Sequence, residues 1–118
     1  TLHSLGSLPA NIFLVDPQPY LEFNFLVKNA LAVITDSGGI TEETTVMGVP
    51  CLTLRDNTER PETITLGTNE LIGTNPAAIK PSMDKLFDEG WKRGSIPPLW
   101  DGKTGERIAA HLDRLLLG

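Results

Sequence analysis

Apolar residues fall in two kinds of pattern along this chain, short unbroken runs and stripes at helical spacing, and the two alternate. Residues 12–15 are a compact apolar run closed by Asp16-Pro17, which predicts a first strand. Residues 20–29 place Leu21, Phe25 and Lys28 along one line of a helix. Residues 31–35 are apolar until Thr35, the pattern of a strand with helices over both faces. Asp36-Ser37-Gly38-Gly39 breaks that strand, residues 40–47 read as a helix, and Gly48-Val49-Pro50 stops it with glycine then proline. A third strand is predicted over 51–54. A polar loop and a short helix over 59–66 follow, and Gly67 ends the helix. Residues 70–72 read as a fourth strand, and Asn75-Pro76 opens a longer helix that runs to 89, where Gly90 can stop it. After a loop over 94–102, the last helix, 104–117, sets Ile108, Leu112, Leu115 and Leu116 on one apolar stripe.

Strands alternating with helices predict an α/β fold, a Rossmann-like parallel sheet with flanking helices. A length of 118 residues suits a single domain, 1–118, with one core. Four strands is thin where about five or six are common. The first strand also comes late, and the chain opens on Thr1 rather than Met. The expectation is a piece of a longer protein that lacks its first strands. In open parallel sheets ligands sit beyond the carboxyl ends of the strands. Here those ends carry Asp16, residues 36–39, residues 55–62 and Gly73-Thr74.

Charge and composition narrow the function. A formal net charge of −5 argues against a nucleic-acid backbone or an anionic membrane as general partner, while leaving room for a small anion at a local site. No apolar run approaches the roughly 20 residues of a membrane span, and no basic leader precedes an apolar stretch. The one cysteine, Cys51, has no internal partner for a disulfide, which fits a reducing compartment, and cytoplasmic is the expected location. Metal-ligand spacing, a Walker loop and a G-x-G-x-x-G fingerprint are all missing from the sequence, so neither a metal nor a cofactor is expected.

Two stretches at the sheet edge carry candidate chemistry. In the first, Ser37-Gly38-Gly39 stands between strand and helix, where backbone N–H groups and the helix start can cradle a phosphate without a cationic side chain. A plain tight turn explains the same glycines. On the helix that follows, Ile40, Val46 and Met47 define the expected apolar face, with Glu43 between them. A carboxylate there needs a hydrogen-bonding partner, and a ribose diol would supply two donors. The other answer for Glu43 is a backbone N–H or an arginine. Glu42 has a simpler explanation as part of a capping box.

The second stretch is Arg55-Asp56-Asn57-Thr58-Glu59-Arg60-Pro61-Glu62. Thr58 suits an N-cap, and Pro61 suits a first turn. Arg60 would then oppose the helix dipole at a small cost, unless an anion reverses the sign. Arg55 could serve the same anion, and a surface ion pair with the flanking acids is the plainer alternative. His3 and His111 have no ligand-like company, Cys51 reads as an inert core thiol, and Trp91 and Trp100 are expected to pin the loop at 94–102.

Taken together, residues 35–43 (Thr-Asp-Ser-Gly-Gly-Ile-Thr-Glu-Glu), Gly48-Val49-Pro50, residues 55–62 and Gly73-Thr74 resemble the C-terminal domain of the non-hydrolysing UDP-N-acetylglucosamine 2-epimerases. The resemblance runs from about Asp16 to Leu115 and includes the closing stretch at 100–108. Thr41 stands where the family usually has Gln, and Asn57 where it often has Thr. The resemblance implies the incomplete C-terminal half of a glycosyltransferase-B-type two-domain fold. It implies UDP binding, with Ser37, Gly38 and Gly39 on the diphosphate, Glu43 on the ribose, Arg60 near the phosphates and Phe23 lining the uracil pocket. The implied reaction interconverts UDP-N-acetylglucosamine and UDP-N-acetylmannosamine by loss and return of UDP, in service of cell-envelope polysaccharide synthesis. The implied full-length protein is a homodimer. The family's acid–base carboxylates and its Thr-x-His-Arg histidine belong upstream, and Thr1-Leu2-His3-Ser4 lacks the Arg, so no catalytic residue is expected in this chain. Alternatives are the donor-nucleotide domain of a glycosyltransferase, against which the Thr-Glu-Arg-Pro-Glu block counts, and a non-catalytic nucleotide-sugar-binding module.

Overall fold

The computed structural model describes residues 8–118. Its centre is a parallel sheet of β1 (Val33–Thr35), β2 (Cys51–Thr53) and β3 (Asn69–Leu71), in the order β1-β2-β3. The register pairs Val33 with Cys51 and Cys51 with Asn69, so the three strands start level. Helix α1 (Tyr20–Lys28) precedes β1, α2 (Gly38–Met47) joins β1 to β2, and α3 (Glu62–Thr65) lies between β2 and β3. A 3-10 turn (Pro76–Ala78) leads into α4 (Ile79–Asp88), and α5 (Thr104–Leu117) closes the chain.

Five of the predicted segments keep their type at nearly their predicted bounds: α1, α2, β2, α4 and α5. The strands over 31–35 and 70–72 form with shifted or shortened ends. The run at 12–15 does not form a strand: it makes no ladder, and Phe13 is 81% exposed. Its composition signals a segment meant for burial, but a parallel strand exists only beside a neighbour that accepts its ladder, and none of the described strands lies alongside. The helix predicted over 59–66 is also shorter. Thr58 Oγ1 accepts from the N–H of Arg60 at 3.0 Å, in a turn that holds the chain off the helical path until Glu62. Arg60 therefore precedes the helix and does not sit in its first turn.

The core is small and unusually polar. Val27, Val49, Cys51, Leu52 and Leu86 are buried alongside Thr41, Thr44, Thr45, Thr53, Thr63, Thr68 and Asn69. This corrects the expected face of α2, because threonines and not Ile40, Val46 and Met47 turn inward. Their hydroxyls are satisfied within the helix: Thr41 donates to Gly38 O at 2.6 Å, Thr44 to Thr41 O at 3.2 Å and Thr45 to Thr41 O at 2.8 Å. With the hydroxyl bonded to a carbonyl one turn back, the remaining methyl packs like that of valine. Val46 is left half-exposed on the opposite side.

The loop after α4 is fastened to this core. Trp91 Nε1 donates to Thr68 O at 2.7 Å, Ser95 N to Leu66 O at 2.6 Å, and Lys92 Nζ to Ile64 O at 2.7 Å. Gly94 lies against the Gly67-Thr68 backbone so closely that a Cβ there would sit 2.7 Å from the Gly67 carbonyl carbon. No residue of α5 is buried, and its stripe Ile108, Leu112, Leu115 and Leu116 is exposed. The radius of gyration, 18.1 Å, exceeds the roughly 13 Å of a compact chain of this length.

Candidate functional site

The site is built where β1 and β2 end. After Thr35 the chain turns with Ser37 N donating to Thr35 Oγ1 at 3.0 Å. Ser37 then occupies the N-cap of α2 in an extended conformation, and its side chain makes no capping bond. The helix begins on Gly38 and Gly39, so its first free N–H groups are those of residues without side chains. A Cβ on Gly39 would meet nothing within 4 Å, and one on Gly38 would lie 3.5 Å from Arg55 Nη1. Because Ser37 is the N-cap, Glu42 is too far along to close a capping box, which corrects that expectation.

Beyond β2, the loop from Arg55 to Arg60 folds back over this helix start. Together they enclose a cavity of about 310 Å³ lined by Gly38, Gly39, Glu42, Arg55, Thr58, Glu59 and Arg60. Two guanidinium groups thus meet the helix N-terminus. Arg60 Nε donates to Glu42 Oε1 at 2.6 Å, Arg60 Nη1 to Glu59 O at 3.2 Å, and Arg55 Nη2 to Asn57 Oδ1 at 3.3 Å. The Arg60–Glu42 pair is about half-exposed, a setting in which such a bridge contributes only about 0.2–1 kcal/mol. An anion with several charges at the helix start can compete for that arginine.

A second cavity, about 280 Å³, adjoins the first through Glu42 and is lined by Tyr20, Glu42, Glu43, Val46, Met47 and Trp100. Glu43 opens into this space, and the arginine partner weighed for it belongs to Glu42 instead. Tyr20 and Trp100 are additions from the fold. They lie eighty residues apart in sequence, so no local pattern joins them, and Trp100 is expected from the sequence only to pin the loop at 94–102.

Of the residues singled out from sequence, Gly38, Gly39 and Arg60 share one cavity, Glu43 lines the next, and Ser37 directly precedes the helix start. Phe23 lines neither. It sits half-buried on α1 with its N–H on Pro19 O at 2.9 Å, near a shallow hollow of about 320 Å³ walled by Gln18, Leu21, Glu22, Phe25 and Leu26. His111 is exposed on α5, and His3 lies outside the described residues. Cys51 is fully buried, and burial pushes its thiol pKa up against weaker opposing hydrogen bonds from Thr44 and Thr53. Among the described residues no three His, Cys, Asp or Glu side chains gather as a metal site, and no helix is long and apolar enough to cross a membrane.

Parallel strands whose carboxyl ends meet a glycine-started helix and two arginines define a Rossmann-like domain of the glycosyltransferase-B type. The family model for UDP-N-acetylglucosamine 2-epimerase matches residues 1–113, and the chain belongs to that family. It is 46% identical over 101 residues to the UDP-N-acetylglucosamine 2-epimerase of Methanocaldococcus jannaschii, covering 86% of this chain and 27% of that protein. With the Escherichia coli K12 enzyme of the same name it shares 46% identity over 106 residues, covering 86% of this chain and 28% of the relative. The crystal structure of the Neisseria meningitidis enzyme bound to UDP-GlcNAc superposes with a TM-score of 0.82 at 34% identity, over 96% of this chain and 32% of that one. The M. jannaschii enzyme in complex with UDP-GlcNAc and UDP gives a TM-score of 0.68 at 44% identity, over 85% and 27%. The chain thus spans between a quarter and a third of the length of these relatives.

Proposed function

We propose that this chain is the UDP-holding domain of an enzyme that interconverts UDP-N-acetylglucosamine and UDP-N-acetylmannosamine. The observation that carries the reading is the cavity where Gly38, Gly39, Arg55 and Arg60 converge on the start of α2. Backbone N–H groups at a helix start and two guanidiniums suit a diphosphate. Ser37 would add its free hydroxyl, Glu43 would accept from the ribose hydroxyls, and Phe23 would lie toward the uracil. In the reaction the C2 proton is removed as the C1–O bond to UDP breaks, leaving a glycal. UDP then returns to C1 while C2 takes a proton on the opposite face. This domain's part is electrostatic: it holds UDP and stabilises the charge that the diphosphate gains on leaving. The groups that move the C2 proton would come from the portions of the relatives that these 118 residues do not span. The chain alone would therefore bind UDP and lack epimerase activity, and the whole enzyme would be a homodimer.

The buried, unpaired Cys51 supports residence in a reducing, cytoplasmic compartment. The family resemblance supports a role in cell-envelope polysaccharide synthesis.

Calorimetric titration of the chain with UDP, with ADP as control, tests the reading. Binding selective for UDP and weakened roughly tenfold or more in both Glu43→Ala and Arg60→Ala is expected. A folded chain that binds UDP no better than ADP, or binds it equally well without Arg60, would overturn it.

A further inference from the structure

Behind the anion cavity lies a chain of buried hydrogen bonds that ends on Arg60. Thr53 Oγ1, on the central strand, donates to Asn69 Oδ1 on β3. Asn69 Nδ2 donates to Thr63 Oγ1 on α3 at 3.2 Å, and Thr63 Oγ1 donates in turn to the carbonyl oxygen of Arg60 at 2.7 Å. The same carbonyl accepts the N–H of Thr63 at 3.0 Å. Thr53, Thr63 and Asn69 are each at most 1% exposed, so every donor in this chain has a direction fixed by its neighbour and none can turn to water. Asn69 has no role in the core that an apolar residue would not fill at lower desolvation cost, unless its two ends are both needed. Its carbonyl takes the strand hydroxyl and its amide orients the threonine that grips Arg60.

Apart from this buried chain, the loop over 55–60 is tied by Gly73 N–H on Arg55 O and by the bonds of Arg60 to Thr58, Glu59 and Glu42, and the Arg60 side chain is half-exposed. We propose that Asn69 and Thr63 are positioning residues: they hold the Arg60 backbone so that its guanidinium is presented to the start of α2. This rests on the reading of Arg60 as a phosphate ligand. A preorganised arginine loses less freedom on binding than a loose one, so loosening it weakens the bound anion without removing any contact.

The test uses Thr63→Val, which keeps the branched shape and deletes the hydroxyl, and Thr63→Ser, which keeps the hydroxyl. Two quantities are read in the 118-residue chain. One is the Arg60 Nε–H resonance in the unliganded protein, assigned by its loss in Arg60→Lys. The other is UDP affinity in the Arg60 and Arg60→Ala backgrounds. The expected result is that Thr63→Val moves the Nε–H resonance toward the position of a free guanidinium and weakens UDP about three- to tenfold, the worth of one hydrogen bond. Thr63→Ser restores both, and in the Arg60→Ala background Thr63→Val changes nothing more. An equal loss in that background, or an unmoved Arg60 resonance, would overturn the proposal. Thr53→Val, which releases Asn69 from the far end, carries the same comparison should Thr63→Val not fold. Failure of the wild-type chain to bind UDP would strike at the nucleotide reading instead, while the Arg60 resonance still decides whether Thr63 positions that side chain.

Discussion

Arg60 Nε and Glu42 Oε1 lie 2.6 Å apart across the mouth of the anion cavity, and both side chains wall it. The pair sets an acid against the ligand that the cavity is otherwise built to attract. A unit charge a few ångströms from a diphosphate, at the high effective dielectric of a half-exposed site, costs about 1 kcal/mol. Glu42→Gln is therefore expected to tighten UDP about three- to tenfold at low ionic strength, with the gain shrinking as salt rises. Arg60→Ala should weaken UDP by roughly tenfold or more, as expected for a lost hydrogen bond to a charged group. Calorimetry across a salt series checks both signs. Weaker binding by Glu42→Gln would mean that the carboxylate orients the arginine more than it repels the ligand.

Glu43 should act on a different part of the ligand. It opens into the cavity shared with Tyr20 and Trp100 rather than the one between the arginines. Glu43→Gln is expected to weaken UDP about tenfold while leaving inorganic pyrophosphate unchanged, because only the nucleotide carries a diol for the carboxylate to accept. Competition of each against a fluorescent UDP analogue separates the two. Equal losses for both ligands would place Glu43 on the phosphates.

Much of this site was legible in the sequence because its determinants are local. A strand followed by two glycines and a helix puts free N–H groups at a sheet edge whatever surrounds it, and Gly38 and Gly39 do that here. The helical repeat alone misjudged α2: it marked Ile40, Val46 and Met47 as the inner face, whereas the buried residues are Thr41, Thr44 and Thr45. Threonine scores as polar, yet its hydroxyl can be spent on a carbonyl one turn back, and periodicity cannot anticipate that. The Arg60–Glu42 bridge spans eighteen residues and the Thr53–Asn69 bond sixteen. Contacts at that separation depend on how the loop after β2 folds back, which no local pattern encodes. The run at 12–15 departs for the converse reason: apolarity alone predicts a buried strand, but no described strand offers it a ladder and Ile12, Phe13, Leu14 and Val15 are all exposed.

Gly67 and Gly39 should respond to alanine in opposite ways. A Cβ on Gly67 would sit 2.4 Å from Thr45 Oγ1 and 2.5 Å from the Thr63 carbonyl oxygen, and the second is backbone that cannot step aside. Gly67→Ala is expected to cost about 3 kcal/mol or more, at the upper end for overpacking, read as a fall in the urea midpoint. Gly39 has nothing within 4 Å of its Cβ position, and the residue lines the anion cavity. Gly39→Ala should leave the urea midpoint unchanged or slightly raised and weaken UDP, since the methyl group stands where a phosphate would approach. A Gly39→Ala chain that binds UDP normally would show that the ligand does not rest on the start of α2.

Cys51 offers a check on the core itself. Fully buried on the central strand, with its thiol pKa raised by burial, it should resist a thiol reagent in the folded chain and react only as fast as the sheet opens. The sign of its pH effect follows from the same shift. Above the ordinary thiol value of 9.0 the unfolded chain loses this proton while the folded chain keeps it. Stability from this group is therefore complete below that pH and is lost as pH rises toward the raised folded value. Lys92 works the other way. Burial lowers its pKa below the ordinary 10.5, the nearby Glu70 raises it and Lys85 lowers it further. The unfolded chain then binds more protons up to 10.5, so this lysine favours folding as pH rises through that window. The two contributions oppose each other, and Cys51→Ala separates them. The variant should be less stable at neutral pH, by the packing of the lost sulfur, yet show a shallower decline, or a rise, between pH 9.0 and 10.5 in chemical denaturation. An identical alkaline slope in both chains would mean that the thiolate reaches solvent through a local opening, and that β2 is less securely held than its burial implies.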